Sequence, residues 1–337
     1  MFDNLANIHD IPLLIEKIRQ GRFTNILSRI VSRRGDWTFK TWDHLEYAPK
    51  NWWDIPDVMR RWNRMISGDP DVDYFSYFMN RFYAGKSSLR ALSLGCGTGH
   101  RELDLAALDQ FSRIDAIDRS EKRIAHARAK ARERGYDQLI RYQAGDVFSM
   151  ELCDSCYDLV IVEQSLHHFS PLETILRMIG HCLSQDGFLL FNEFTGPSRF
   201  QWTDKQIEAV NGLLSLLPER YRIRWKSRTL KRRVHRPGRL GMILYDSTEA
   251  VESSRILPHI HKLFDVVELA GYGGTVLQLL FNDIAHNFLS NDNETKRLLA
   301  LCFDAEDELL ESGQLESDFI VGICRKRTPA DSPDITG

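Results

Sequence analysis

The sequence predicts an α/β fold built on a doubly wound, mostly parallel sheet. Three observations carry that expectation. Between residues 88 and 194 short apolar runs alternate with amphipathic helical stretches, the order that buries a parallel sheet between two helical layers. The first run, Leu89 to Leu94, enters a turn with glycines at 95, 97 and 99. The turn leads directly into a helix-like segment, Arg101 to Leu108. A strand, a glycine turn and a helix N-terminus together make a place where backbone comes close to a ligand, because a Cβ there would block the approach.

The elements follow in order. Ser112 to Asp118 reads as the second strand and ends on an acid. Ser120 caps the next helix, Ile124, Ala127 and Ala131 line one side of it, and Gly135 stops it. Ile140 to Val147 is the third strand with its exit loop, and Tyr157 to Glu163 the buried fourth. A helix from Pro171 to Leu183 has proline near its start. Gly187 to Phe194 is the fifth strand, and Asp204 to Leu216 is helical. Phe264 to Ala270 and Asp318 to Cys324 are further strands, separated by helical stretches Val276 to Leu289 and Glu294 to Glu311.

Around this core the organisation is looser. Residues 1–85 form an N-terminal helical cap or lid, with helical spacing from Ile11 to Ile30, the aromatic run Trp37 to Trp42, Trp52-Trp53, a helix from Val58 to Ile66 and the aromatic stretch Asp73 to Met79. Residues 86–327 form the core, interrupted by a basic insertion at about 218–256; residues 328–337 are a Pro/Asp/Ser-rich tail expected to be disordered.

Composition narrows the function classes. The 337 residues are 43% hydrophobic with a net charge of −3, which suits one large embellished domain, or one domain plus a smaller one, and implies no global attraction to nucleic acid or membrane. No apolar run would cross a bilayer and no signal peptide is evident, so a cytoplasmic protein is expected. The six cysteines (96, 153, 156, 182, 302, 324) are scattered, which favours free thiols in a reducing compartment. Cys153 and Cys156 form a CxxC without a second pair at zinc spacing, so it reads as a loop before a strand.

The glycine pattern, together with the motifs that follow it in order, points to the ligand. A dinucleotide fingerprint needs G-x-G-x-x-G, and the position of its third glycine holds His100. The spacing Gly95-x-Gly97-x-Gly99 instead resembles motif I of the class I S-adenosylmethionine (SAM)-dependent methyltransferases. Asp118 at the end of the second strand, Gly145-Asp146-Val147 after the third, Tyr157-Asp158-Leu159-Val160 opening the fourth and Asp186-Gly187-Phe188-Leu189 opening the fifth match that family in order. The resemblance implies a seven-stranded sheet ending in an antiparallel pair. It also implies SAM binding through Gly95, Cys96, Gly97, Gly99, Asp118, Arg119, Asp146 and Val147, with Asp118 on the ribose hydroxyls and Asp146 on the adenine amino group. Glu163 and Gln164 would line the cofactor's adenine or methionine side. One departure stands out: the family carries an acid where this chain has Ser93, and a serine supplies no charge for the methionine ammonium group. Glu102, in the first helical turn, would compensate or would simply favour the helix N-terminus.

Catalysis is expected at the carboxyl ends of the strands. His167 and His168 follow the fourth strand, and a neutral imidazole is the natural base for an acceptor hydroxyl near pH 7. His167 is preferred. Arg199, Trp202 and Tyr272 are candidate substrate contacts. Ten basic residues between Arg220 and Arg239 would hold a phosphate-bearing substrate or RNA, or would form a solvated face. The expected function is SAM-dependent methyl transfer, at oxygen, to a small-molecule or glycan-like acceptor. The alternatives are a catalytically silent SAM-binding module and an RNA methyltransferase.

Overall fold

A computed structural model describes residues 51–239, 242 and 248–327. The expected helix at Ile11 to Ile30, the aromatic run Trp37 to Trp42 and the 328–337 tail lie outside the described residues. In chain order the helices and strands are α1 (Pro56–Ser67), α2 (Tyr74–Tyr83), β1 (Leu89–Leu94), α3 (His100–Ala107), β2 (Phe111–Asp118), α4 (Glu121–Glu133), β3 (Ile140–Ala144) and β4 (Tyr157–Glu163). They continue with α5 (Leu172–Cys182), β5 (Leu183–Phe194), α6 (Asp204–Leu216), α7 (Ile256–Leu263), β6 (Phe264–Gly271), α8 (Leu277–Phe281), α9 (Asn293–Glu311) and β7 (Phe319–Lys326).

The seven strands make one sheet in the order β3-β2-β1-β4-β5-β7-β6. β3, β2, β1, β4 and β5 pair in parallel. Thr195, just past β5, donates to Asp318 O, just before β7, at 2.7 Å, and Tyr272 donates to Phe319 O at 3.0 Å. The end of β5 and the end of β6 therefore both meet the start of β7, which runs antiparallel to its two neighbours. The order reverses between β1 and β4, so a crevice opens at the carboxyl ends of those strands. Both halves of the doubly wound expectation hold.

Contacts divide the chain into two units. The first comprises 80–193, 254–269 and 321–337 and holds most of the sheet. β4 is buried along its middle and β5 from Gly187 to Phe194, so both read as near-continuous apolar runs, as parallel strands covered on two faces should. α4 begins where Ser120 accepts a hydrogen bond from Arg123 N, and it buries Ile124, Ala127 and Ala131, the three positions its spacing singled out. Ser120→Ala is expected to cost about 1 kcal/mol, read as a lower midpoint in urea, because one backbone donor loses its cap.

Two readings of this unit need correction. α7 lies where only the edge of an insertion was expected; Pro258 sits in its first turn, where its missing N–H costs nothing, and Ile256, His259 and Ile260 are buried. The sequence, with a proline and two histidines in eight residues, hid it. Cys153 and Cys156 are joined as a disulfide, while Cys96, Cys182, Cys302 and Cys324 are free thiols. The loop folds back because Ser155 takes a left-handed φ of 52° and donates to His181 O, which brings the two Cα atoms to 5.7 Å, within bridging reach.

The second unit comprises 1–79, 194–253 and 270–320. Its core is aromatic: Trp52 meets Trp62 edge-on at 4.4 Å between ring centroids, and Tyr272 and Phe319 complete the cluster. Glu306, fully buried, accepts from Val276 N and Leu277 N at 2.8 and 3.0 Å and pairs with the buried Arg61. It thereby caps the start of α8. The single helix expected from Val276 to Leu289 is broken: α8 ends at Phe281, Asp283 adopts a φ of 66°, and a short 3-10 turn follows at Ala285–Phe288. The break is stabilised by Lys231, whose ammonium donates to the carbonyls of Leu279, Leu280 and Asn282 at 2.7 to 3.0 Å. No helix among the described residues is long and apolar enough to cross a membrane.

Candidate cofactor and catalytic site

The glycine turn is held by the strand beside it. Gly95 N and Cys96 N both donate to Ile117 O, at 2.8 and 3.1 Å. Gly97 N donates to Asp118 Oδ2 at 2.9 Å and Ser120 N to Asp118 Oδ1 at 2.8 Å. Asp118 therefore fixes the turn and the start of α4 together. Gly95 and Gly99 have φ of 73° and 81°, and each is crowded where a Cβ would stand. At Gly95 that atom would lie 2.4 Å from Ser165 Cβ, and at Gly99 2.5 Å from the Tyr142 hydroxyl. Gly97, by contrast, faces open space with only an Arg123 nitrogen at 3.9 Å. An open glycine between two closed ones is a cradle shaped for a ligand to lie against backbone, which fits a nucleoside cofactor.

Beneath the turn lies Glu102. It is 0% exposed, and neither carboxylate oxygen has a hydrogen-bond partner of good geometry. Burial raises its pKa to about 7; the Ser93 hydroxyl on β1 and a backbone amide favour the ionised form and offset part of that rise. Cys96 is also pushed well upward by burial, with Glu102 adding to the effect. A buried carboxyl on the first turn of α3 thus stands beside Ser93.

The other expected cofactor residues stand at the neighbouring strand ends. Asp146 accepts from Phe148 N at 3.2 Å and from Arg119 Nη2 at 2.9 Å, linking the loops after β2 and β3; Val147 is buried beside it. Glu163 ends β4 and is gripped by Arg101 through Nε and Nη2 at 3.1 and 3.0 Å. Gln164 has a φ of 47°, a conformation costly for a side chain with a Cβ, and is tied to Asn192 of β5 through its backbone N–H at 2.8 Å and its side chain at 3.2 Å.

His167 is 8% exposed, and its Nδ1 is hydrogen-bonded to Glu193 Oε1 of β5. Glu193 is 0% exposed, and its Oε2 accepts from Leu166 N at 2.6 Å. The His168 ring lies against that of His167, 4.1 Å between centroids. Gly95, Cys96, Gly97, Gly99, Glu102, Asp118, Arg119, Asp146, Val147, Glu163, Gln164, His167 and His168 all belong to one unit, at the carboxyl ends of β1 to β4 and the loops beyond them.

The expected substrate contacts belong to the other unit. Arg199 has a φ of 57°; its backbone N–H donates to Ala250 O at 2.7 Å and its guanidinium to Glu249 O at 3.3 Å. Trp202 stacks on Phe200 at 5.2 Å. Tyr272 is 1% exposed and stacks on Trp52, so its ring is part of the core. Part of the basic stretch is engaged within the chain. Arg220 pairs with Glu294, Arg224 with Asp283 and Arg236 with Asp204, while Lys231 is buried against carbonyls with a pKa lowered to about 7 by that burial.

Sequence reasoning missed Arg101, Glu193 and Asn192. Arg101 left no signal, since nothing in its spacing points at Glu163. Asn192 and Glu193 did leave one: polar residues inside the otherwise apolar run of β5 must find partners once buried.

Residues 85–235 match a family model described as a methyltransferase domain. Over 123 residues the chain is 33% identical to malonyl-[acyl-carrier protein] O-methyltransferase of Bacillus anthracis, covering 36% of this chain and 44% of that protein. Over 115 residues it is 27% identical to 27-O-demethylrifamycin SV methyltransferase of Amycolatopsis mediterranei, covering 33% and 42%. The chain thus spans less than half the length of these curated relatives. Among solved structures, geranyl diphosphate C-methyltransferase from Streptomyces coelicolor A3(2) superposes with a TM-score of 0.48 at 12% identity, over 86% of this chain and 96% of that one. The strand order, the cradle of Gly95, Gly97 and Gly99 and the matched domain model agree, and residues 85–235 form a methyltransferase domain of the class I, S-adenosylmethionine-dependent family.

Proposed function

We propose that this chain transfers the methyl group of S-adenosylmethionine to an oxygen of a small-molecule, carrier-borne or glycan-like acceptor, in the cytoplasm, with His167 receiving the acceptor's proton. The observation that carries the reading is the imidazole of His167, tied through Nδ1 at the carboxyl end of β4, two residues from the Ser165 that packs on the glycine turn. The cofactor supplies an electrophilic methyl group. The chain's part is to seat it on the turn, to align the acceptor and to take up a proton. Asp118, Asp146 and Glu102 would hold the ribose, adenine and methionine ends; Arg199 and Trp202 are offered as acceptor contacts. Both relatives named above are O-methyltransferases by name, which supports oxygen as the atom methylated. RNA methylation through residues 220–239 is less favoured, because Arg220, Arg224, Lys231 and Arg236 have partners within the chain.

Calorimetric titration with S-adenosylhomocysteine and single-turnover transfer from methyl-labelled S-adenosylmethionine test the reading. Binding together with transfer is expected, and His167→Ala should lower transfer by about 10²- to 10⁴-fold while binding persists. Binding with no transfer to any acceptor would instead identify a silent module.

A further inference from the structure

We infer that Glu193 is a positioning residue that fixes the tautomer of His167, and that the pair equips this site for an un-ionised hydroxyl acceptor rather than a carboxylate. The inference deepens the function proposed above and rests on it.

The argument starts from the two oxygens of Glu193. One accepts from Leu166 N–H; the other faces His167 Nδ1. A carboxylate accepts and does not donate, so Nδ1 must carry the hydrogen. The proton-accepting lone pair of the neutral ring is then on Nε2. Glu193 is fully buried in β5, Leu166 and His167 sit in the 3-10 turn after β4, and the two strands are hydrogen-bonded neighbours. The ring is thus held by the sheet itself. A buried carboxylate beside the ring also favours the imidazolium that forms when Nε2 takes a proton.

Such a device has a use only if the acceptor arrives with a proton to lose. A carboxyl group ionises near pH 4 and reaches a site at neutral pH already deprotonated, whereas a phenol ionises near pH 10 and an aliphatic hydroxyl higher still. With a hydroxyl acceptor the atoms balance as follows. The acceptor oxygen forms a bond to the methyl carbon, the carbon–sulfur bond breaks with its electron pair going to sulfur, and the hydroxyl proton moves to His167 Nε2. The products are a methyl ether, S-adenosylhomocysteine and an imidazolium that returns its proton to solvent. A carboxylate acceptor needs no such transfer, and an anionic acceptor would not gain from the neighbouring Glu193 charge.

Glu193→Gln is a sharp test because Leu166 N–H dictates how the amide sits. The glutamine oxygen must stay on Leu166, which turns the NH₂ toward Nδ1 and makes it donate. The ring is forced into the Nε2–H tautomer, which cannot act as a base at that nitrogen. Long-range ¹H–¹⁵N spectra of histidine-labelled full chain should show His167 as Nδ1–H in the wild type and as Nε2–H in Glu193→Gln. Single-turnover transfer to 4-methylphenol, the hydroxyl probe, should exceed transfer to malonyl-N-acetylcysteamine, a carboxylate probe without hydroxyls. It should fall at least 10²-fold in Glu193→Gln, with affinity for S-adenosylhomocysteine unchanged within threefold. An Nε2–H tautomer in the wild type, an unchanged tautomer in the variant, or faster transfer to the carboxylate probe overturns the inference and leaves the methyltransferase reading standing. Bound S-adenosylhomocysteine with no transfer to either probe overturns the inference alone; the methyltransferase reading falls only when no acceptor at all is methylated. The wild-type spectrum decides the tautomer even if the variant does not fold.

Discussion

Gly95→Ala should abolish cofactor binding while the sheet stays folded. Gly95 has a φ of 73°, where an alanine costs about 1–2 kcal/mol of backbone strain. The new Cβ would stand 2.4 Å from Ser165 Cβ, and Ser165 has no easy retreat because its hydroxyl donates to Leu94 O at 2.9 Å. Either the turn or the segment that leads to His167 must shift. Two bonds from Gly95 N and Cys96 N to Ile117 O define the turn, so a shift there moves the amides of the proposed cofactor cradle. A loss of at least 100-fold in S-adenosylhomocysteine affinity is expected, with the far-ultraviolet circular dichroism retained. Binding within threefold of the wild type would show that the cradle is not where the cofactor lies.

Glu102→Gln should separate stability from binding. The native carboxyl has a pKa of about 7 against a usual value of 4.5, because burial penalises its charge. Between those two values the folded state holds a proton that the unfolded state has released. Stability therefore declines as pH rises from about 4.5 to 7, and the charged form is the destabilised one at pH 8. A neutral amide of the same shape should raise stability at pH 8 by about 3 kcal/mol, an upper figure from the size of the shift. The gain should vanish below about pH 4.5, where the wild-type acid is protonated in both states. Urea midpoints at pH 4.5 and 8 read this directly. The same variant should bind S-adenosylhomocysteine more weakly at pH 8, because the negative charge near the methionine ammonium is gone. Ser93→Asp placed in the Glu102→Gln background should restore part of that affinity by returning a carboxylate to the strand. Equal stability of wild type and Glu102→Gln at both pH values would show that the buried carboxyl is not strained.

A stabilising loss of charge at a ligand site is what selection for binding leaves behind. Glu102 has no hydrogen-bond partner of good geometry in the folded chain, and the turn above it is open only at Gly97. Burial favours the neutral acid, so a cation brought by a ligand would be needed to draw out the charge.

The sequence by itself determined the sheet and the cradle. Seven apolar runs, five of them alternating with helical stretches, glycines at 95, 97 and 99, and acids at 118 and 146 are local signals. Their physical causes, burial on two faces and backbone conformations that exclude a Cβ, act within a few residues of chain. The cap Ser120 was likewise written locally. Only the tertiary structure decided how the polar groups are paired. Glu193 reaches His167 across two neighbouring strands, Arg101 reaches Glu163 over 62 positions of chain, and Lys231 turns inward to end α8. Those partners follow from strand order and burial, and a buried polar group accepts whichever partner the fold brings within 3 Å. Tyr272 shows the same limit from the other side: its sequence position at a strand end suggested a ligand, and the aromatic cluster around Trp52 claimed it for the core.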